Sequence, residues 1–158
     1  MPVPDYVKKL RAHLGHELLL MPGICALVFN DAGQLLLGRR SDNGRWAVIG
    51  GILEPGENPA DACAREVLEE TNVTVQVERL TGVYMTRLIT YPNGDHAQYL
   101  ITAFRCRALS GEARVNDDES LEVRYFNLDA LPELHPDHLL RIEHSLSDGD
   151  PYFAKTGG

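Results

Sequence analysis

Residues 51–73, GILEPGENPADACAREVLEETNV, determine how the rest of the chain is interpreted. Their second half predicts a helix over residues 58–72, because Asn58 suits an N-cap, Pro59 the first helical position, and Asn72 a left-handed C-terminal position. At about 100° per residue, one side of this helix is apolar and is expected to face the core. That side comprises Ala60, Cys63, Ala64, Val67 and Leu68.

Three glutamates of the same helix, Glu66, Glu69 and Glu70, fall in an arc of about 100° beside the apolar side. Arg65 lies four residues from both Asp61 and Glu69 and can pair with either, but one arginine does not neutralise three carboxylates. A divalent cation does, and oxygen-rich sites select hard cations such as Mg²⁺ or Mn²⁺. The helix therefore predicts a metal–phosphate site, although an acidic helix face taken alone is more often simply solvated.

The whole stretch resembles the Nudix box, the defining motif of the Nudix hydrolase family. The matching positions are Gly51, Glu57, Arg65, Glu66, Val67, Glu69, Glu70 and Val73. Asn72 departs from the motif by replacing its last glycine. At about 7% usage per residue type, six fixed matches arise by chance on the order of once in ten million starting positions. The flanking segments LLLGRR and RWAVIGG are similar to strands of that family.

The resemblance implies an α/β fold, a Nudix-like α/β/α sandwich around a mixed β-sheet, here with an added N-terminal helix. It implies hydrolysis of a nucleoside diphosphate linked to another moiety, with Mg²⁺ as cofactor and Mn²⁺ as a possible substitute. By match, the metal ligands are the carbonyl of Gly50 and the side chains of Glu57, Glu66, Glu69 and Glu70. Glu57 either braces the loop or binds metal through water, and Arg65 orients the glutamates.

The catalytic general base is not placed consistently within that family. A helix glutamate, Glu66 or Glu69, is one candidate, and the later segment NDDESLEVRY offers another set: Asp117, Asp118, Glu119 and Glu122. We expect Glu119 to serve, because it lies clear of the strand that follows.

Four residues outside the box are candidates for binding the substrate: Arg39, Arg40, Trp46 and Tyr91. The planar donor fork of arginine suits a phosphate, and one of the two arginines is expected to be only solvated. Trp46 either stacks on a base or belongs to the core. Tyr91 lies beside the turn Asn93-Gly94, which hairpin chemistry explains without a ligand.

The remaining patterns predict one domain over residues 1–158, with an amphipathic helix over about 4–19 and a C-terminal helix over about 136–147. Two hairpins are predicted, GICALVFN-DAG-QLLLGRR and RLTGVYMTRLITY-PNGD-HAQYLITAFRCRAL, with LEVRYFNL as a further strand. Because strands and helices do not alternate strictly, a mixed sheet is favoured over a parallel doubly wound one.

Composition narrows the class of protein and its partners. The chain has 158 residues and a formal charge of −8. This negative charge disfavours binding to nucleic acid and to anionic membranes, but a small polyanion can still bind if a cation bridges it to the protein. Its three cysteines have no metal spacing and are expected to be reduced and buried. We expect a cytoplasmic protein without a secretory signal or a spanning helix. The first helix could support a homodimer.

Four functions remain open at this point. The first is hydrolysis of a nucleotide sugar, with ADP-ribose as the leading candidate, and the second is pyrophosphohydrolysis of nucleoside triphosphates. The third is a regulatory domain that binds a nucleotide without turnover, and the fourth is an acidic scaffold. The intact set of acids argues against the third.

Overall fold

The structure, a computed structural model, describes residues 3–156 as one mixed sheet with three helices. The helices are α1 Asp5–Leu14, α2 Pro59–Thr71 and α3 Pro136–Leu146. The strands are β1 Leu19–Phe29, β2 Leu35–Arg40, β3 Trp46–Ala47, β4 Ile49–Ile52, β5 Thr74–Met85, β6 Ile89–Thr90, β7 His96–Ser110, β8 Ser120–Phe126 and β9 Tyr152–Phe153.

The sheet runs in the order β3-β2-β1-β7-β5-β9, and β4, β6 and β8 pair with β1, β7 and β2. The central pair, β1 and β7, is parallel, from Leu19 opposite Ala97 to Phe29 opposite Arg107. β5 pairs antiparallel with β7, and β8 pairs antiparallel with β2. The prediction of a mixed sheet is confirmed.

β1 is buried on both faces, which is why its sequence is almost continuously apolar. Ile24, Ala26 and Val28 pack on the face covered by α2, in one core cluster with Cys63 and Val67. The alternate residues of the strand pack on the opposite face with Ile142 of α3; they are Cys25, Leu27 and Phe29. Helices therefore cover both faces of the sheet, as the α/β/α prediction required.

The N-terminal helix is shorter than predicted. It ends at Leu14, because Gly15 has φ 58° and ψ −130° and its N–H closes the helix on the carbonyl of Arg11. Residues from Leu19 onward belong to β1, where parallel pairing with β7 outweighs the helical spacing of the leucines. The C-terminal helix begins at Pro136, as predicted, and ends at Leu146.

Both predicted hairpins form. β1 and β2 pair antiparallel across a turn in which Gly33 has φ 75°. β6 and β7 pair across the Asn93-Gly94 turn, with Gly94 at φ 93°.

The buried face of α2 differs from the predicted one. Leu68 is 46% exposed, whereas Glu66 and Glu70 are only 3% and 7% exposed. The helix is therefore turned so that two of its three acids face the sheet and Glu69 faces outward. At the end of the helix, Asn72 has φ 63° and donates its N–H to the carbonyl of Leu68, which confirms the predicted left-handed C-terminal residue.

The three cysteines are free and buried, as predicted. Among residues 3–156, no helix is long and apolar enough to cross a membrane.

Candidate active site

Arg65 organises the acidic side of α2. Its Nε and Nη2 donate to the two carboxylate oxygens of Glu57, at 2.5 and 2.9 Å. Its Nη1 donates to Glu66 at 3.0 Å and to Glu69 at 3.2 Å. The predicted alternative, a pair with Asp61, is not formed, because Asp61 accepts from the side chain of Asn58 instead.

Glu57 holds the loop before the helix. Its carboxylate accepts the N–H of Glu54 at 3.1 Å as well as the guanidinium of Arg65, and the hydrogen bond from Arg65 lowers the pKa of Glu57. Both oxygens of Glu57 are thus already occupied by donors. This geometry matches the bracing role of Glu57 more closely than direct ligation of a metal.

Glu66 is buried because Gly51 makes room for it. A Cβ on Gly51 would lie 2.2 Å from the carboxylate carbon of Glu66, so a side chain there and the present position of Glu66 exclude each other. Gly50 lies opposite Cys25 in the β1–β4 ladder, and a Cβ there would lie 2.7 Å from the carbonyl oxygen of Ile24. Gly51 thus lets Glu66 approach β4 closely, and Gly50 lets β4 lie close to β1.

The segment 111–119 folds back onto the C-terminal end of α2. Its backbone N–H groups at Arg114 and Asn116 donate to the carbonyls of Thr71 and Glu70, and the side chain of Asn116 donates to the carbonyl of Leu68. These bonds satisfy carbonyls that the end of a helix leaves open. The segment is also fixed to the end of β2, where Ser41 donates its N–H to the carbonyl of Glu119.

This folding brings three acids from distant parts of the chain together: Glu70, Asp117 and Glu119. One carboxylate oxygen of each lies within 4.8 Å of the others. Burial, then the nearby charges of Glu66 and Asp117, raises the pKa of Glu70 to about 8. Burial also raises the pKa of Glu66 to about 7 and shifts that of Asp117 upward. In Glu66, Glu70 and Asp117, burial and repulsion between neighbouring carboxylates therefore outweigh the positive charges nearby.

The donor set of this cluster fits a divalent metal ion. Within the described part of the chain, the carboxylate of Glu70 makes no hydrogen bond or ion pair although it is 7% exposed. α2 has no basic residue in its last turn, where the helix dipole favours a cation. Carboxylate oxygens select Mg²⁺ or Mn²⁺ over softer metals. A bound cation would stabilise the ionised form of these carboxylates.

Arg40 is the candidate substrate ligand whose charge acts on Glu70. Its guanidinium holds both carboxylate oxygens of Asp42, at 2.9 and 2.6 Å, and its positive charge lowers the pKa of Glu70 against the larger effect of burial. Tyr91 is also close to Arg40, and its hydroxyl lies 2.7 Å from that of Tyr99.

Arg39 and Trp46 lie on the α3 side of the sheet. Arg39 pairs with Trp46 in the β2–β3 ladder, and its Nε lies 3.7 Å from the carboxylate of Glu122. Trp46 packs edge-on against Phe126, with 4.8 Å between the ring centroids, next to the α3-side core. Trp46 is thus half-buried against the α3-side core, and Arg39 lies beside it with Glu122 as its ion-pair partner.

Sequence reasoning missed two features of this site. Asp117 was one of several loop acids, and only its position beside Glu70 distinguishes it from Asp118. The Arg40–Asp42 pair was also missed, although a spacing of two residues around a strand end was visible in the sequence.

Comparison with known proteins gives the family. The NUDIX domain model matches residues 19–145, most of the chain. The chain belongs to the NUDIX domain family.

Individual Nudix proteins resemble the chain over most of its length. A MutT-like protein of Streptomyces ambofaciens is 34% identical over 138 residues, covering 85% of this chain and 82% of the relative. An ADP-ribose pyrophosphatase of Methanocaldococcus jannaschii is 33% identical over 136 residues, covering 84% of this chain and 74% of the relative. The crystal structure of a MutT NUDIX hydrolase from Burkholderia pseudomallei superposes with a TM-score of 0.67 at 28% identity, covering 80% of this chain and 98% of that one.

The predicted family, fold and enzyme class are confirmed: the protein is a Nudix pyrophosphohydrolase. Nudix hydrolases act on small nucleotide substrates and generally use divalent metals. This finding favours catalysis over the two alternatives without turnover, the regulatory domain and the acidic scaffold.

Proposed function

We propose that this Nudix hydrolase splits the diphosphate linkage of a nucleoside diphosphate joined to a second moiety, with ADP-ribose as the first candidate, and that it uses Mg²⁺. The observation that carries the proposal is the meeting of Glu70, Asp117 and Glu119 within 4.8 Å, beside buried Glu66 and close to Arg40. The ADP-ribose pyrophosphatase of M. jannaschii, at 33% identity, supports the choice of substrate.

The roles of the acids follow from their surroundings. Glu66, Glu69, Glu70 and the carbonyl of Gly50 would hold the cation, joined by Asp117. When bound, Mg²⁺ neutralises charge on the diphosphate and makes water more acidic. Arg65 keeps Glu66 and Glu69 in place by donating to both. Glu57 fixes Arg65 and the loop before α2.

In the proposed reaction, a water oxygen attacks one phosphorus of the bridge while the bond to the bridging oxygen breaks. Glu119 accepts a proton from the attacking water, and Arg40 exchanges its contact with Asp42 for a substrate phosphate, which its planar fork suits. With ADP-ribose, the products are AMP and ribose 5-phosphate. Positioning and electrostatic stabilisation account for most of the acceleration in such transfers.

The test is a screen of products with Mg²⁺ and two substrate classes, nucleoside diphosphate sugars and nucleoside triphosphates. We expect AMP and ribose 5-phosphate from ADP-ribose, and reaction in ¹⁸O-labelled water identifies the attacked phosphorus by the product that carries the label. Pyrophosphate released from a triphosphate, with ADP-ribose left intact, would reassign the enzyme to the triphosphate class. Tight binding of nucleotides with no turnover would refute hydrolysis.

Two variants test whether Glu119 acts as the general base. Glu119→Gln should lower kcat by about a hundredfold or more at unchanged fold, because it removes the proton acceptor. Glu143→Gln, on the exposed side of α3, removes the same charge from a position without a role in the reaction. Equal kcat values for the two variants would eliminate Glu119 as the base.

A further inference from the structure

A second concave site lies beside the start of α3. It is a cavity of about 270 Å³ between the segment that follows β5 and the first turns of α3. Its polar lining consists of Thr86, Arg87, His135, Asp137, His138 and Arg141. None of these residues belongs to the carboxylate cluster of Glu70, Asp117 and Glu119. We refer to this second site as the Arg141 cavity.

Arg141 is a buried cation without a counter-charge. Arg141 is 8% exposed, and its Nε is buried without a hydrogen-bond partner. No carboxylate of residues 3–156 lies within 4.0 Å of its guanidinium nitrogens. Its guanidinium carbon lies 5.4 Å from the centroid of the Tyr84 ring. The neighbouring thiol of Cys25 is neutral, because burial raises its pKa to about 11. An unpaired buried charge is strongly unfavourable, so this arrangement calls for an anion.

The other groups of the cavity also favour an anion. Arg87 is exposed at its edge, and the N-terminal end of α3, an 11-residue helix, presents the positive end of its dipole. Asp137 is the acid of this lining, in which the arginines Arg87 and Arg141 outnumber it.

His138 adds a hydrogen-bond donor. Its Nδ1 accepts the N–H of Val48 at 3.1 Å, and burial keeps the ring neutral by lowering its pKa to about 4. The hydrogen of the neutral ring is therefore on Nε2, which makes this nitrogen a donor.

The cavity is connected to the carboxylate cluster through two residues. Val48, which is held by His138, precedes Gly50 by two positions. Arg40 acts electrostatically on both Glu70 and His138. Arg40 is therefore within electrostatic range of both sites.

We propose that the Arg141 cavity binds an oxyanion, a phosphate or carboxylate group, that pairs with Arg141. This anion is either a phosphate group on the far part of the substrate, which rests on the proposed function, or a free phosphate ion, which does not. In both cases Arg141 and Arg87 supply the charge and His138 supplies a neutral donor.

The first experiment measures anion binding without turnover. Thermal unfolding and titration calorimetry of the full-length protein in EDTA compare inorganic phosphate and sulfate with chloride at equal ionic strength. We expect saturable stabilisation by phosphate and sulfate, in the wild type and equally in Glu70→Gln. Absence of any effect beyond that of chloride would overturn the proposal, whatever the protein hydrolyses.

The second experiment tests whether the anion pairs with Arg141. Arg141→Met should weaken phosphate binding roughly tenfold to a hundredfold, since charge-assisted hydrogen bonds are lost, while the ligand-free protein melts at the same or a higher temperature. Arg107→Met, on the half-exposed side chain of β7, is the control for loss of one positive charge and should bind phosphate as the wild type does. A lower melting temperature with unchanged phosphate affinity would show that Arg141 is purely structural.

Arg87→Met keeps the test decisive if Arg141→Met does not fold. Arg87 is exposed, so its replacement spares the core, and we expect several-fold weaker phosphate binding. Unchanged affinity would contradict the proposed position of the anion.

The third experiment distinguishes the two sources of the anion. ADP-ribose and ADP-ribose 2′-phosphate differ by one phosphate group, and their kcat/KM values are compared in wild type and Arg141→Met. A preference for the phosphorylated substrate that disappears in the variant assigns the anion to the substrate. Equal values, together with phosphate binding in the first experiment, assign the cavity to a free anion.

Discussion

Glu70 lies at the C-terminal end of α2, where burial and the helix dipole both oppose a negative charge. Glu66 is buried beside it, and the two carboxyl groups have raised pKa values. Arg65 compensates Glu66 and Glu69 but does not contact Glu70. At the residue scale, burial and mutual repulsion of these acids therefore favour binding of a positively charged ligand.

Replacing Glu70 with glutamine tests whether the charge of Glu70 lowers stability and supports activity. Glu70→Gln keeps the shape of the side chain and removes its charge, so we expect kcat to fall by about a hundredfold or more and the metal-free melting temperature at alkaline pH to stay equal or rise. Activity assays and thermal unfolding in EDTA provide the two measurements. Turnover at the level of the wild type would exclude Glu70 from the site.

The pH dependence of stability follows from the same two acids. Burial raises the folded pKa of Glu66 to about 7 and of Glu70 to about 8 from an ordinary value of 4.5, so their contribution is fully present below pH 4.5 and is lost as pH rises through those values. We expect the metal-free protein to melt at lower temperature at about pH 9 than at about pH 6, and Mg²⁺ to stabilise it most at the higher pH.

Differential scanning calorimetry with and without Mg²⁺ checks this expectation. At about a hundred times its dissociation constant, a bound ion contributes about 2.7 kcal/mol. His138 opposes this trend only slightly at pH 6, because its pKa is lowered by burial to about 4 and its contribution is lost progressively from pH 6.5 to that value as pH falls. A Glu70→Gln variant with the same pH profile as the wild type would contradict the assignment.

At the scale of elements, the site depends on the contact between α2 and the segment 111–119. The segment satisfies open carbonyls of the helix end, and in doing so it brings Asp117 and Glu119 to Glu70. Gly111 permits the approach: it has φ 94°, and a Cβ there would lie 2.2 Å from the carbonyl oxygen of Asn72. The segment thus has both a structural and a functional role.

Gly111→Ala should therefore reduce activity more than a comparable glycine substitution elsewhere. We expect displacement of Asp117 and Glu119, a fall in kcat of about tenfold or more, and a loss of stability of roughly 1–3 kcal/mol. Gly33→Ala is the matched control, because Gly33 also has a positive φ, 75°, but no atom lies within 4 Å of the added Cβ. Equal activities of the two variants would show that positive φ alone explains the effect.

At the scale of the whole molecule, β1 couples the two faces of the sheet. Its alternate residues pack under α2 on one side and under α3 on the other, while Leu19 and Met21 pack with Val7 of α1. Disruption of this strand therefore affects all three clusters, and we expect cooperative unfolding.

Leu27→Ala tests this coupling. Leu27 is 0% exposed in β1, so its truncation should lower the free energy of unfolding by about 2–5 kcal/mol and leave a single transition. Leu139→Ala, at a position 45% exposed on α3, should cost about 1 kcal/mol or less. Denaturant unfolding followed by circular dichroism and tryptophan fluorescence measures both; two separate transitions would mean that the faces unfold independently.

Local patterns predicted much of the fold. Helix α2 was predicted with its Pro59 start and left-handed Asn72, because these signals act within a few residues. The hairpin turns were predicted from Asp-Ala-Gly and Asn93-Gly94 for the same reason. The N-terminal helix was predicted too long, because leucines at helical spacing also suit β1, and only the pairing with β7 separates the two.

The sequence by itself determined the family and the helix that carries Glu66, Glu69 and Glu70, since spacing along one helix fixes their arc. It also predicted a cation among those acids. The tertiary structure alone decided which acids are buried, that Asp117 and Glu119 meet Glu70, and that Arg40 rather than Arg39 lies near them. It also left Arg141 buried without a counter-charge. These features depend on contacts between residues far apart in the chain, and helical or strand periodicity carries no information about such contacts.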